Sequence, residues 1–110
     1  MNSLFIGRYQ PFHEGHKKLI QTVLDEGRGV VVAIRDTKKS EQNPYGIEER
    51  MRMVREAFPD KHRVNIIKIP DIDEVCYGRN VGWKVREIRL DEETEKISGT
   101  SIRSGNHQHI

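Results

Sequence analysis

Apolar residues along this chain switch between short continuous runs and a helical rhythm, and the switches fix an order of elements. "SLFIG" (Ser3 to Gly7) is a short apolar run ended by glycine, which suits a buried strand. His16, Leu19, Ile20, Val23 and Leu24 then fall on one helical face, and Gly27 and Gly29 close that helix. "VVVAI" (Val30 to Ile34) is continuous and β-branched, like a parallel strand covered on both faces. The polar stretch "RDTKKSEQNPYG" (Arg35 to Gly46) carries turn formers and reads as a loop. Ile47, Met51, Val54 and Phe58 mark a second amphipathic helix stopped by Pro59, and "RVNIIKI" (Arg63 to Ile69) a third strand closed by Pro70. This β-α-β-α-β alternation implies a parallel sheet with right-handed crossovers.

Beyond Pro70 the pattern weakens. "EVCYG" (Glu74 to Gly78) reads as a short fourth strand, "WKVREIRL" (Trp83 to Leu90) as a fifth, "DEETEK" as a charged turn and "ISGTSIR" (Ile97 to Arg103) as a loop entering a short helix. The expected fold is α/β: a Rossmann-like, open, mostly parallel five-stranded sheet with helices on both faces. One domain over 1–103 is expected, with 104–110 as a flexible tail.

Composition narrows the function classes. The 110 residues suffice for one core, and 35% hydrophobic against 33% charged residues predicts a thin core under a charged surface. Nineteen basic and seventeen acidic residues give a formal charge of +2, a balance that argues against a nucleic-acid partner or a membrane surface. The single cysteine, Cys76, excludes an intrachain disulfide and suggests a reducing compartment. With neither a membrane-spanning run nor a signal-peptide pattern, the expected location is the cytoplasm.

In doubly wound sheets the site lies at the carboxyl ends of the strands. The loops expected there are 7–16 after the first strand, 35–40 after the second, 71–74 after the third and 78–82 after the fourth. The first holds "GRYQPFHEGH", with His13 and His16 flanking Gly15 where a helix begins. A helix N-terminus exposes N–H groups and the positive end of the dipole, which favour phosphate. A histidine there can donate a ring N–H to a phosphate oxygen, and glycine lets a ligand approach the backbone. A nucleoside triphosphate fits this geometry. Zinc fits less well, because the His-x-x-His pair has no further ligand at conventional spacing.

"GRYQPFHEGH" resembles the first signature of the HxGH nucleotidylyltransferase superfamily, in wording closest to the archaeal-type nicotinamide mononucleotide adenylyltransferases. "NPYGIEERMRMV" (Asn43 to Val54) resembles the segment opening their second helix, "IPDI" (Ile69 to Ile72) the end of their third strand, and "ISGTSIR" their second signature, with Gly99 in place of a serine. The resemblance implies that His13, His16 and Arg103 are catalytic, with both histidines on the triphosphate. It implies nucleotide binding by Arg8, Arg50, Ser98 and Thr100; Gly7, Phe12, Gly15, Gly78 and Arg79 are expected at the same nucleotide site. It implies transfer of a nucleoside monophosphate from ATP to a phosphate-bearing small molecule such as nicotinamide mononucleotide, with Mg2+ on the phosphates and pyrophosphate released. The chain after "IPDI" is shorter than in the archaeal enzymes, so CTP and a cytidylyltransferase activity stand as an alternative, as does a non-catalytic nucleotide-binding module. A homo-oligomer is expected.

The remaining residues read more plainly. Asp71, Asp73 and Glu74 form a solvated acidic turn ahead of a metal or cation site. Lys38 and Lys39 are equally a solvated pair and a loop that closes over the triphosphate. "GRNVGW" reads as a nucleotide-contacting loop, Trp83 as packing under the sheet, Cys76 as core, and His107 and His109 as tail.

Overall fold

The computed structural model describes residues 1–79 and 82–89. Five elements follow one another: β1 (Asn2–Gly7), α1 (Glu14–Asp25), β2 (Gly29–Asp36), α2 (Ile47–Ala57) and β3 (Val64–Pro70). The strands form one parallel sheet in the order β1-β2-β3. β2 is central, which is why its run of β-branched residues is the most apolar of the three: Val30, Val32 and Ile34 are fully buried.

Register places the core. Ser3, Phe5 and Gly7 pair with Val30, Val32 and Ile34, which pair in turn with Val64, Ile66 and Lys68. Strand residues alternate faces, so this row forms one side of the sheet. Ile20, Val23 and Leu24 of α1 and Val54 of α2 pack with it in a single core cluster. Both helices therefore lie on the same face, as two successive right-handed crossovers moving in one direction require. The other face carries Leu4, Ile6, Val31, Ala33 and Ile67, of which Leu4 and Ile67 are exposed. Among the described residues no helix covers it.

Helix ends follow their sequence signals. Gly27 adopts φ +85 just after α1 and donates to the Leu24 carbonyl at 2.9 Å, a left-handed cap that a β-carbon would strain. α2 begins with Glu48 and Glu49 and ends with Arg55, which donates to the Phe58 carbonyl at 3.1 Å. That charge order suits the helix dipole. Neither described helix is long and apolar enough to cross a membrane.

The expected fourth and fifth strands are not strands where the chain is described. In 74–78, Val75 and Tyr77 are exposed, and so is Cys76, which was expected in the core. Cys76 Sγ instead donates to Glu74 Oε1 at 3.1 Å. In 83–89 the alternation breaks phase: Trp83 and Val85 fall on one parity and Ile88 on the other, so no single face could be buried. Trp83 is 82% exposed rather than packed under the sheet. This segment is tied down by Arg86, paired with Glu26 at the end of α1, and by Ile88 against the core.

Candidate active site

The carboxyl ends of all three strands gather on one edge, as expected. The β1–α1 loop forms one part of that edge. Gly7 closes β1, and a β-carbon there would stand 2.9 Å from the ring of Tyr9. Glycine is required because Tyr9 folds back over the strand end. Tyr9 is buried and itself adopts φ +53, a left-handed backbone that few non-glycine residues occupy. Its ring meets His16 edge-on at 4.8 Å and Phe12 at 5.8 Å. Phe12 stacks on His16 and touches Phe58 beyond α2. Sequence reasoning missed Tyr9; a backbone turn made by an aromatic residue has no local signature.

The two histidines form a capping box with unusual members. His13 is the N-cap of α1, and its Nδ1 accepts from the Gly15 amide at 3.1 Å. His16 reaches back, and its Nδ1 accepts from the His13 amide at 3.2 Å. The N3 amide also points to the His13 ring. These are the roles of Ser or Thr at the N-cap and Glu or Gln at N3 in an ordinary capping box. An amide can only donate, so each Nδ1 must be unprotonated and each ring proton must sit on Nε2. The rings lie 3.8 Å apart and nearly parallel.

Electrostatics agree with this tautomer assignment. Burial, and secondarily the neighbouring His13, push the His16 pKa down to about 3, and burial lowers that of His13. Both rings are therefore neutral near pH 7 and act as fixed Nε2–H donors. The expectation that backbone N–H groups at this helix start would grip a phosphate needs correction. The Gly15 and His16 amides are occupied by the His13 ring.

Arg50 lies elsewhere than expected. Its side chain is completely buried. Nε donates to the carbonyls of Tyr45 and Gly46 at 3.0 and 3.3 Å, and Nη1 to those of Arg8 and Arg35, both at 2.8 Å. One guanidinium thus ties together the ends of β1 and β2 and the start of α2, rather than standing on the rim for a phosphate. Its Nη2 is buried with no hydrogen-bond partner. Burial lowers its pKa, opposed by the charge of Asp36. Gln10 makes a parallel tie: Oε1 accepts from the Tyr45 amide at 3.0 Å, and Nε2 donates to the Tyr45 carbonyl at 2.9 Å and to Thr37. Nothing in the local sequence marked Gln10 for this role.

Beyond the ends of β2 and β3 lies an open cavity of about 430 Å³. Arg8, Arg35 and Lys38 bring positive charge to it, and Asp36 and Asp71 negative charge. Arg35 donates through Nε and Nη2 to Asp71 at 3.1 and 2.7 Å. Of the expected site residues, His13, Gly15 and His16 cluster with Phe12 packed behind them, Gly7 lies under Tyr9, and Arg8 lines the cavity. Gly78 and Arg79 are exposed beyond β3. Ser98, Thr100 and Arg103 lie outside the described residues, as do 104–110. Among the described residues no three His, Cys, Asp or Glu side chains group to hold a metal.

A family model described as cytidylyltransferase-like matches residues 4–76, which span all five elements. A nicotinamide-nucleotide adenylyltransferase of Thermococcus sibiricus is 34% identical over 79 residues, covering 66% of this chain and 42% of that protein. One from Pyrococcus furiosus is 36% identical over 77 residues, covering 64% and 41%. One from Methanococcus aeolicus is 29% identical over 131 aligned positions, covering 94% and 76%. The chain thus spans less than half the length of the first two. Its backbone also resembles a bifunctional NMN adenylyltransferase/ADP ribose pyrophosphatase from Francisella tularensis, solved with AMP and a manganese ion. There the TM-score is 0.58 at 32% identity, over 64% of this chain and 22% of that one. With its parallel sheet, its histidine pair at the β1–α1 junction and a family match over most of its length, the chain belongs to the cytidylyltransferase-like family of nucleotidyltransferases.

Proposed function

We propose that this chain carries the catalytic site of an adenylyltransferase. It would move AMP from ATP to the phosphate of an acceptor, nicotinamide mononucleotide foremost. An acceptor phosphate oxygen forms a bond to the α-phosphorus, the bond from that phosphorus to the bridging oxygen breaks, and pyrophosphate leaves with the electron pair. No protein nucleophile is required. The observation that carries this reading is the stacked neutral pair His13 and His16, each with its proton fixed on Nε2 by an amide at Nδ1. Such donors need no reorganisation as charge builds on the transferring phosphoryl group. The names of the relatives favour AMP and nicotinamide mononucleotide as the groups joined.

Arg8 lies on the cavity side of the same loop, where it would neutralise phosphate. Phe12 and Arg50 act in this reading as supports behind the site, and Ser98, Thr100 and Arg103 would hold the β- and γ-phosphates. A magnesium ion fits the donor set only if the nucleotide brings it, since phosphate oxygens and water commonly fill most of its shell. When bound it would neutralise phosphate charge.

The experiment is pyrophosphate release from ATP, and separately CTP, with nicotinamide mononucleotide as acceptor. His16→Ala should lower kcat by about 10²–10³, the usual loss for one preorganised donor, while nucleotide Kd moves far less. Faster release from CTP would replace the adenylyl reading by the cytidylyl one. Nucleotide binding without turnover on any phosphorylated acceptor would leave a binding module, and wild-type turnover in His16→Ala would remove the histidines from the chemistry.

A further inference from the structure

The proposed chemistry needs the His16 ring held in one orientation, and its stacked partners alone do not give that. The amide that reaches its Nδ1 stands 3.2 Å away, long for an N–H donor. His13 stacks on it at 3.8 Å and Phe12 at 5.6 Å, with interplanar angles of 19° and 25°. Parallel neighbours set the plane of a ring but leave it free to slide and turn within that plane. Tyr9 supplies a restraint of the other kind. Its ring meets His16 at 84° with centroids 4.8 Å apart, one of the arrangements that aromatic pairs favour.

The turn that presents Tyr9 is built for this contact. Tyr9 holds φ +53, a left-handed backbone that is costly for a bulky side chain. Glycine or asparagine would make the same turn at lower cost, so the turn alone does not account for a tyrosine. The chain on either side is anchored to distant segments. The Arg8 carbonyl accepts from Arg50 Nη1 at 2.8 Å, and the Gln10 side chain bonds the Tyr45 amide and carbonyl. Gly7 leaves room for the hydroxyl end of the ring, since a β-carbon there would stand 2.9 Å from Tyr9 Cζ. We propose that Tyr9 is a positioning residue for His16: its ring, seated over Gly7 on a turn anchored at both ends, fixes the orientation of the imidazole and shields it from water. Burial is the main cause of the lowered His16 pKa, and the Tyr9 ring is part of that burial. Of the rings against His16, His13 and Tyr9 titrate, and burial pushes the Tyr9 hydroxyl up, so it stays neutral. The bearing of Tyr9 on turnover rests on the transferase reading above; its hold on the ring does not.

The test follows the titration of the His16 ring by NMR, with kcat for pyrophosphate release and Kd for ATP, in Tyr9→Gly, Tyr9→Leu and Tyr9→Phe. Tyr9→Gly removes the ring and relieves the left-handed backbone, so strain does not enter the result. Its His16 pKa should rise from about 3 towards the ordinary 6.5. Its kcat should fall by about tenfold to a hundredfold, the scale of a 1 Å misplacement, while Kd changes by less than about threefold. Tyr9→Phe restores the ring and should recover the native His16 pKa, and kcat to within about twofold. Tyr9→Leu keeps bulk without a flat ring; it should shift both readouts in the same direction, and it carries the test if Tyr9→Gly does not fold. A merely structural Tyr9 would lower the urea midpoint and leave the His16 pKa and kcat of the folded variants native. Either readout staying native in folded Tyr9→Gly, or in folded Tyr9→Leu where it carries the test, would overturn the inference, as would Tyr9→Phe losing as much as Tyr9→Gly. If the wild-type chain releases no pyrophosphate, the transferase reading falls and the titration alone decides the role of Tyr9.

Discussion

Two loops leave the same sheet edge and are built in opposite ways. The β1–α1 loop is closed on itself: Tyr9 covers Gly7, four aromatic and imidazole rings meet, and each histidine is fixed by a neighbouring amide. The β2–α2 loop is polar and exposed over much of its length. It is held from outside at Tyr45 by Gln10 and Arg50, and within by the Ser40–Asn43 turn. The first loop fixes its two imidazole rings in one geometry. The second leaves most of its polar side chains to solvent. Arg50 joins the two regimes, because it bonds the backbone of both loops at once.

The sharpest way to break this contrast is to remove the joint. Arg50→Met should lower unfolding free energy by about 3 kcal/mol or more, read from urea midpoints, because buried carbonyls lose charged donors that methionine cannot replace. Turnover should fall even at temperatures where the variant stays folded. A variant with wild-type stability would show that the loops hold themselves.

The closed loop also predicts a pH dependence. The native His16 pKa lies at about 3, against 6.5 for the ordinary side chain. Between these values the unfolded chain binds a proton at this position that the native chain does not. Stability should therefore fall as pH falls below about 6.5, by at most about 1.4 kcal/mol per pH unit from this residue. His13, shifted the same way, adds to the slope. His16→Gln keeps a capping-box acceptor without the titration, so its slope should be shallower. Equal slopes would mean that His16 is not neutral by burial.

Gly7→Ala tests the covering of the strand end. Its β-carbon would press on the Tyr9 ring, and the loss should be about 1–3 kcal/mol, with a changed near-ultraviolet circular dichroism signal from the tyrosine. The smallest effect belongs to the open loop. Gln10→Ala removes a two-point clamp on a part-buried backbone and should cost about 1 kcal/mol, with faster hydrogen exchange at the Tyr45 amide. Slower exchange there would mean that the loop is rigid on its own account.

Much of this molecule was legible in one dimension. The five elements from Asn2 to Pro70 follow from periodicity, and their ends from Gly27, Pro59 and Pro70, because local propensity and burial agree there. The place of the histidines at a helix start was legible because glycine, histidine and the onset of a helical pattern fall together in a few residues. The segment after Pro70 misled, since short alternating stretches such as "EVCYG" and "WKVREIRL" look like strands until a register must bury one face. Arg50 misled in another way: an arginine in a helix gives no sign of whether its head meets solvent, ligand or backbone.

The sequence by itself determined which residues could donate to a phosphate and where along the chain they stand. Only the tertiary structure decided that both imidazoles are neutral, because that follows from burial and from which amide meets which ring nitrogen. Only the folded chain brings Arg8, Arg35 and Asp71 around one cavity, since they come from three strand ends separated by whole crossovers. Hydrogen bonds that join distant segments leave no periodic trace in a sequence, and those bonds are what turn a set of candidate residues into a site.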